Sequence, residues 1–392
     1  MSVLTIMQFI VNIIIMIVLL TIMILGLIWL FKDKGQNQHS VLRNFPVLGR
    51  IRYISEKIGP ELRQYFFAND NEGKPFSRSD YKNIVLAGKY NSRMTSFGTE
   101  TEYKEGFYIQ NTMFPLQATE LHVDNSGLIS TFIYKIKNER LFSREEHRKS
   151  TEVNPFFLAD EHAVVLGSDL KYPYKVKRLV GQSGMSYRAL GKNAITSLSK
   201  GLAKAGTWMN TGEGGLSEYH LKGDGDIIFQ IGPGLFGVRD KEGNFNNEMF
   251  IELAERSNIR AFELKLAQGA KTRGGHMEGN KVTEEIAKIR NVKPHETINS
   301  PNRFDFIKNP KDLLTFVNKI QTLGQKPVGF KIVVSKNEDI EALVKTMIDM
   351  DTYPKALLQL MAVKVAQGLR SKSLRMALDY HYSRHYLSYQ VC

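Results

Sequence analysis

The feature that most restricts the fold is an alternation of short apolar runs with longer amphipathic segments, which begins at Arg178. This alternation is typical of repeated βα units, in which parallel strands form a sheet and helices cover it. It predicts strands at 179–185, 208–211, 227–231, 260–266 and 328–334, and helices at 187–205, 248–256, 311–323 and 337–350. Such an α/β sheet is either doubly wound or closed as a (β/α)8 TIM-type barrel. A Rossmann sheet would carry a GxGxxG motif between its first strand and helix, and because no such motif is present the barrel is favoured.

An uncharged run extends from Val3 to Phe31 and is dominated by Ile, Leu, Met and Val. At about 1.5 Å per residue, a helix of this length crosses a hydrocarbon core ~30 Å thick with some tilt. The alternative is a cleaved signal peptide, but the run lacks the basic start, the short apolar core and the small-residue cleavage site of such a peptide. Basic side chains follow the run and none precedes it. By the positive-inside rule, the prediction is a single-pass anchor in the cell membrane with the bulk of the chain in the cytoplasm.

Between the anchor and the βα region, the pattern is irregular from His39 to about Leu170, because Gly, Asn, Asp and Pro interrupt short apolar stretches. We interpret this part as an arm and cap. The predicted domains are a transmembrane anchor at 1–31, the arm and cap at 32–177, a partial barrel at 178–356 and a tail of different character at 357–392.

The composition is that of a globular protein, with 42% hydrophobic and 24% charged residues. The formal charge of +13 suits an anionic partner such as nucleic acid, an anionic lipid surface or a phosphate-bearing cofactor. The basic residues are scattered, and the chain shows no RNA-binding aromatic signature, zinc-finger spacing or helix-turn-helix signal, so no nucleic-acid partner is expected. The single cysteine, Cys392, excludes an intrachain disulfide, a thiolate metal cluster built by one chain and a central cysteine nucleophile. No metal site is expected.

Polar and small residues fall where the predicted strands end, which is where a barrel collects its catalytic groups. The segment Gln182–Ser186 leads from the first strand into a helix, the glycine-rich segment Asn210–Gly215 ends the second, and Gln230 closes the third. Lys265 and Lys331 each lie within an otherwise apolar strand, and a lysine that faces the barrel interior is costly unless it meets an anion. A reduced flavin would supply such an anion.

Each of these features also has a purely structural interpretation. Glycine-rich turns commonly close loops without binding a ligand, and Lys265 alone could extend its ammonium group to the surface. His276, in the segment Thr272–His276, could be a loop hydrogen-bonding residue rather than a catalyst. The placement of these groups at successive strand ends is what favours a functional site.

The same residues resemble a known family. The segments Ser183–Ser186, Asn210–Gly215, Gln230–Gly232, Lys265–Lys271, Lys281–Val282 and Pro327–Ile332 are similar, in order and spacing, to the FMN-binding domain of glutamate synthases. The upstream segments Ser40–Arg50, Gly59–Tyr65 and Asn69–Ser77 resemble the membrane-associated, stand-alone branch of that family. The resemblance extends from about residue 39 to 356.

The resemblance implies a function and a set of roles. The family domain reduces the imine of 2-oxoglutarate and ammonia to L-glutamate with FMN, and electrons reach the flavin through an iron–sulfur cluster. Lys265 and Glu213 would line the substrate site, and the residues implied to contact FMN are Ser183, Gly184, Met185, Ser186, Gln230 and Lys331. The cluster's cysteines have no counterpart in this sequence. The nitrogen would come from free ammonia or from glutamine hydrolysed by a partner, and the sequence indicates no electron donor.

The chain departs from the family pattern in two places. Within Ala270–His276 the usual Lys-Pro-Gly is absent before the paired glycines, and from Leu357 the expected strand and acidic glycine-rich loop are replaced. Residues 357–382 nevertheless admit codons that encode family-like sequence when they are read one base out of register, so we expect a single-base deletion after Ala356. An unclosed barrel would then have exposed sheet edges, bind FMN weakly and lack activity.

Two alternatives remain open at this level. One is a membrane-bound, non-catalytic scaffold that keeps the fold's front half. The other is a different FMN barrel oxidoreductase, similar to inosine-monophosphate dehydrogenase or lactate oxidase.

Overall fold

The computed structural model describes residues 3–36, 38–67, 69, 72, 77–91, 113–114, 117, 120, 123–124, 127–140, 143–155, 157–161, 163–178, 180–266, 274–333, 336–355 and 358–361. The chain divides into two compact units. The first comprises residues 1–110 and 132–149, and the second comprises residues 111–131 and 150–392.

The first unit begins with three helices, α1 (Val3–Gly35), α2 (Ser40–Asn44) and α3 (Leu48–Leu62), and α3 continues into a π-helix at Arg63–Phe67. Helix α4 (Arg78–Tyr90) follows, and it begins at Ser77 because Ser77 and Asp80 cap each other's backbone N–H groups. Within the described residues, the stretch Met7–Gly35 of α1 is the one helix long and apolar enough to cross a membrane, and its most apolar 18-residue part is not buried in protein.

The region expected to be irregular contains regular structure. Besides α2–α4, it forms β1 (Val123–Asp124), β2 (Ile129–Arg140), β3 (Ser143–Val153), β4 (Phe157–Leu158), β5 (Val164–Leu166) and β6 (Tyr174–Val176). The strands pair as β1 with β4, β2 with β3 and β5 with β6. The irregular prediction was wrong at β2 and β3. Strand β3 is polar and mostly exposed, so it lacks the apolar alternation of a half-buried strand, and β2 alternates half-buried with exposed residues only over 129–134.

The second unit is built on a parallel sheet. In chain order its elements are α5 (Lys192–Lys204), β7 (Met209–Asn210), α6 (Glu218–Leu221), β8 (Ile227–Ile231), α7 (Asn247–Glu255), β9 (Ile259–Lys265), β10 (His276–Met277), α8 (Glu284–Arg290), β11 (Ile298–Asn299), α9 (Pro310–Gly324), β12 (Val328–Val333), α10 (Asn337–Asp349) and β13 (Leu358–Met361). The sheet order is β13-β12-β9-β8-β7, and all its pairs are parallel. Strands that follow one another along the chain are neighbours, as in a barrel, and the described strands form a curled half-barrel. A complete eight-stranded barrel is not established by these strands.

Most predicted βα boundaries agree with the structure to within a residue or two, because caps mark them. Asn246 and Asn309 each accept a backbone N–H at the start of α7 and α9. The helix expected from Tyr187 begins only at Lys192, since Arg188 takes a positive φ of 86° and the backbone turns before Gly191 caps the helix. The strand expected at 179–185 contributes a single bridge, from Gln182 to Met209, and Leu179 lies outside the described residues. Helix α8 was not predicted.

The two faces of the sheet are packed differently. Phe229, Phe262 and Phe330 point outward into a core shared with α7 and α9, and each is at most 1% exposed. On the opposite face, Trp208, Ile228 and Ala261 pack with residues of β5 and β6 at the end of the sheet where the strands begin. The inner face is therefore apolar at that end, which leaves its polar groups at the carboxyl ends of the strands.

Candidate active site at the carboxyl ends of the strands

The strand register brings four of the polar strand residues onto the inner face. Gln230 of β8 lies opposite Glu263 of β9, and Lys265 of β9 lies opposite Lys331 of β12. Because side chains alternate between faces along a strand, Glu263 and Lys265 share the face opposite to Phe262 and Leu264. The two lysines predicted to face one ligand are thus neighbours on the inner face of adjacent strands.

A buried carboxylate lies below these lysines. Glu263 Oε1 accepts a hydrogen bond from Asn210 Nδ2 at 2.9 Å and another from Gln230 Nε2. Burial raises the pKa of Glu263, while the Gln230 amide, the nearby Lys331 ammonium group and the Asn210 amide oppose that rise. Sequence reasoning did not single out Glu263. Its signal was a carboxylate two residues before Lys265 in an apolar strand, a spacing that places both on one face.

Lys265 and Glu213 form an ion pair at the rim of the half-barrel, where the parallel strands end. Lys265 Nζ lies 3.1 Å from Glu213 Oε1, and the lysine is only 8% exposed, so its ammonium group does not extend into solvent. A Cβ atom on Gly232 would lie 2.6 Å from Glu213 Oε2. Position 232 must therefore lack a side chain for the carboxylate to occupy this place above the end of β8.

The turn that contains Ser183, Gly184, Met185 and Ser186 crosses the ends of β7 and β8. Met185 N–H donates to Asn210 O at 3.0 Å, which fixes the turn to the end of β7. A Cβ atom on Gly184 would lie 3.1 Å from Gly212 Cα and 3.3 Å from Gln230 Nε2. Gly212 itself has a positive φ of 66°, a conformation that favours glycine. The backbone of this turn can approach the strand ends closely because two glycines face each other.

His220 holds the turn from behind and was missed by sequence reasoning. Its ring is 1% exposed, and burial lowers its pKa, so the ring is neutral at pH 7. Nδ1 accepts from Ser217 N–H at 3.2 Å and lies 2.8 Å from Ser217 Oγ. The other nitrogen, Nε2, therefore carries the proton and donates to Met185 O at 2.9 Å. No sequence pattern marks this histidine, because it acts through contacts 35 residues away.

An open cleft of about 560 Å³ adjoins the rim, and its lining includes Ser186, Glu213, Phe236, His276 and Arg290. Arg290 is 8% exposed and its guanidinium lies 4.9 Å from the centre of the Phe236 ring. Burial lowers the pKa of Arg290, and the negative charge of Glu213 opposes that change. His276, in β10, has its Nδ1 atom 2.7 Å from Asn299 Oδ1 at an exposed position. Residues 267–273 of the adjoining loop lie outside the described part of the chain.

The structure therefore brings Gln230, Lys265, Lys331 and Glu213 to one rim, with Ser183–Ser186 beside them. A parallel βα sheet with charged and amide side chains at the carboxyl ends of its strands is the arrangement found in (β/α) barrel enzymes. Comparisons with known proteins identify the family within that class.

The family model described as "Conserved region in glutamate synthase" matches residues 117–352, and the chain belongs to the glutamate synthase family. It is 54% identical over 330 residues to the "Glutamate synthase large subunit-like protein YerD" of Bacillus subtilis (strain 168), a match covering 83% of this chain and 63% of that protein. It is 33% identical to the "Archaeal-type glutamate synthase [NADPH]" of Thermotoga sp. (strain RQ2), over 45% of this chain and 33% of that protein. It is 35% identical to the "Archaeal glutamate synthase [NADPH]" of Methanocaldococcus jannaschii, over 43% of this chain and 31% of that protein. The match thus covers less than two thirds of each of these relatives.

Proposed function

We propose that the rim formed by Lys265, Lys331, Glu213 and Gln230 is the site of an FMN-dependent glutamate synthase reaction. Ammonia adds to the C2 carbonyl carbon of 2-oxoglutarate, water leaves, and the resulting imine accepts a hydride at C2 and a proton at nitrogen to give L-glutamate. The observation that carries the proposal is the register of β9 and β12, which places two ammonium groups side by side on the inner face. Family membership supports the same reaction class.

The residues at the rim fit a flat, electron-rich ring. The turn at Ser183–Ser186 and the paired glycines Gly184 and Gly212 leave backbone groups and hydroxyls free of bulky side chains at the strand ends. Gln230 offers an amide next to them, and Lys331 offers a positive charge, which stabilises a reduced and anionic ring. FMN, when bound here, would supply the hydride.

The ion pair of Lys265 and Glu213 would receive the second substrate. Lys265 Nζ is the group to hold a carboxylate of 2-oxoglutarate, since a buried ammonium group is stabilised by an anion. Glu213 faces the cleft and lies 3.1 Å from Lys265, so its carboxylate is placed to exchange a proton with the substrate nitrogen. The buried Glu263 contacts Asn210 and Gln230 and would position both amides rather than touch substrate.

Substitution of the lysines tests this assignment. In a chain whose reading frame has been restored after Ala356, Lys331→Ala should weaken flavin reduction, and Lys265→Ala should chiefly raise the KM for 2-oxoglutarate. Lys345→Ala, at an exposed position of α10, is the matched control for loss of one positive charge. Flavin reduction that is unchanged in Lys331→Ala would remove that lysine from its role.

Substrate screening separates the alternative functions. Glutamate formed from 2-oxoglutarate and ammonium supports the proposed reaction, whereas oxidation of another substrate with bound FMN indicates a different flavin oxidoreductase. A scaffold would gain no function from the restored frame. NADPH, which the names of the Thermotoga and Methanocaldococcus relatives include, is the first electron donor to test.

We also propose that residues 357–392 are read out of frame and that the chain as it stands binds FMN weakly and is inactive. Support comes from the codons that residues 357–382 admit. The structure describes only Leu358–Met361 of this segment, as a strand beside β12. Sequencing the gene across the codon of Ala356 tests the frame. Purification of the present chain as a yellow flavoprotein would contradict the expected loss of binding.

For the first unit we propose that α1 anchors the protein in the cell membrane, with the remaining chain in the cytoplasm. The support is an apolar stretch of 29 residues whose most apolar 18-residue part is not buried in protein. Retention of the full chain in membrane pellets after alkaline carbonate washing is the expected result, and release into the supernatant would contradict it.

A further inference from the structure

The end of α1 is joined to the first turn of α3 by a hydrogen-bonded segment. We call this connection, from Asp33 to Arg50, the elbow. Asp33, in the last turn of α1, is 1% exposed, and its carboxylate accepts hydrogen bonds from Val47 N–H and from Arg50 Nε, both at 3.0 Å. Arg50 Nη2 completes a bidentate pair with the other oxygen at 2.5 Å. The Arg50 guanidinium also lies 5.0 Å from the centre of the Trp29 ring. The first turn of α3 is thus fastened to the last turns of α1 by both charge and stacking.

The backbone of the elbow is itself constrained. Val47, directly before α3, has a φ of 65°, a strained backbone conformation for a β-branched residue. The hydrogen bond from its N–H to Asp33 offsets part of that strain. Gln36 closes the intervening loop, since its side chain bonds the backbone of Asp33 and of His39. These bonds set where α3 starts relative to the end of α1.

Helix α3 has one apolar face that is largely exposed in the described part of the chain. We call this face the α3 stripe, and its members are 42–68% exposed: Leu48, Ile51, Ile54, Ile58 and Leu62. Their spacing of three and four residues places them within about a third of the helix circumference. Gly49, which packs against Leu42, and Arg50, which binds Asp33, lie on other sides of the helix. The elbow therefore uses the polar part of α3 and leaves the stripe exposed.

The charges around the stripe indicate what covers it. Residues 32–67 contain seven Lys and Arg against three Asp and Glu, and Lys57 and Arg52 lie off the stripe. Within α3 itself Arg52 pairs with Glu56, so the excess of positive charge lies mainly in the residues that flank the helix. An amphipathic helix in a segment of net positive charge suits the interface of an anionic bilayer. The stripe begins within one helical turn of the elbow, so it starts where α1 leaves the hydrocarbon core.

We propose that α3 lies flat on the cytoplasmic surface of the lipid bilayer, with the α3 stripe among the acyl chains and its basic side chains at the anionic headgroups. This inference rests on the proposed anchoring by α1 and adds a second, lateral attachment to it. The elbow then ties the spanning helix to the surface helix through the Asp33–Arg50 pair. The elbow would fix the direction in which the following chain leaves the membrane.

Spin labels in the full chain reconstituted into nanodiscs that contain phosphatidylglycerol test the proposal. In a Cys392→Ser background, single cysteines replace Ile54 on the stripe, Lys57 off the stripe and Leu19 in the middle of α1. Oxygen concentrates in lipid, whereas a nickel chelate stays in water, so the ratio of their collision rates reports the surroundings of each label. We expect the ratio at position 54 to exceed that at position 57 several-fold and to approach that at position 19. Lys57 is the matched control because it lies on the same helix.

Each other outcome overturns the proposal in a distinguishable way. A water-accessible label at position 54 with a lipid-exposed label at position 19 means that α1 spans the membrane and α3 does not lie on it. A label at position 54 shielded from both reagents means that a second copy or another segment covers the stripe. A water-accessible label at position 19 rejects the anchoring proposal and the surface helix with it. As a second variant, Ile54→Glu with Ile58→Glu should make position 51, labelled as Ile51→Cys, water-accessible.

Discussion

The parallel sheet and the N-terminal helices use the same apolar residue types in opposite surroundings. In β8, β9 and β12 the large side chains are at most a few per cent exposed, whereas those of α1 and α3 are about half exposed. Both regions also bury a carboxylate beside a cation, Glu263 near Lys331 in the sheet and Asp33 against Arg50 in the elbow. The difference is that the sheet buries its apolar surface against protein, while the helices present theirs outward. Apolar content therefore does not define a core, and the packing partner has to be identified separately.

The largest expected effect is a loss of stability at the core of the sheet. Phe262 is 1% exposed and its ring centre lies 4.6 Å from that of Phe250, so Phe262→Ala leaves a cavity and should lower the free energy of unfolding by about 3–5 kcal/mol. Ile51→Ala, at a side chain that is 60% exposed, should change it by less than about 0.5 kcal/mol. Urea unfolding followed by Trp208 fluorescence in a Trp29→Phe background measures both. If both variants lost a similar free energy of unfolding, the side chain of Ile51 would be as important for stability as that of Phe262, and the two regions would not differ in packing.

The next effect concerns His220, the histidine behind the turn at Ser183–Ser186. His220→Ala leaves Met185 O and the Ser217 groups without their buried partner, which should cost about 1–3 kcal/mol. Burial lowers the pKa of His220, so the neutral ring contributes stability that is present above the unfolded-state pKa of about 6.5 and is lost as the pH falls through the folded-state pKa. The variant should lose that acid sensitivity below about pH 6.5. His295→Ala, at an exposed ring, is the control, and an equal loss of acid sensitivity there would refute the assignment.

The two regions also differ in how far sequence reasoning could reach. The strands β8, β9 and β12 were predicted nearly to the residue because short apolar runs mark them, and the parallel order then places Lys265 beside Lys331. His220, Glu263 and the Asp33–Arg50 pair could not be derived in this way, since each depends on a contact between distant segments. Strand β3 and the second half of β2 are exposed along their length, and such a pattern does not distinguish a solvated strand from a loop.

A smaller effect is expected from the buried glutamate. Burial raises the pKa of Glu263, so its protonated form is favoured in the folded state, and stability declines as the pH rises from the unfolded-state value of about 4.3 through the folded-state pKa. Glu263→Gln mimics the protonated acid and keeps an oxygen that can accept from both Asn210 and Gln230. We expect the variant to gain stability relative to the original protein as the pH rises. Unfolding across pH 4–8, with the exposed Glu252→Gln as control, measures this gain, and a pH-independent difference would contradict it.

The smallest effect on the stability of the sheet is expected from a substitution at the elbow. This substitution tests most directly whether the N-terminal helices and the sheet are independent. Asp33→Asn removes the charge that binds Arg50 and weakens the bond to Val47 N–H, and these groups belong to the first unit whereas the sheet belongs to the second. Trp208-detected unfolding should therefore remain unchanged, whereas spin-label mobility at position 51 of α3 should increase. Asp80→Asn, in the cap of α4, is a matched change in the same unit that leaves the elbow intact. If Asp33→Asn lowered the stability of the sheet as much as His220→Ala, the elbow would have to be coupled to the core, and the division between a protein-packed and an outward-facing apolar surface would fail.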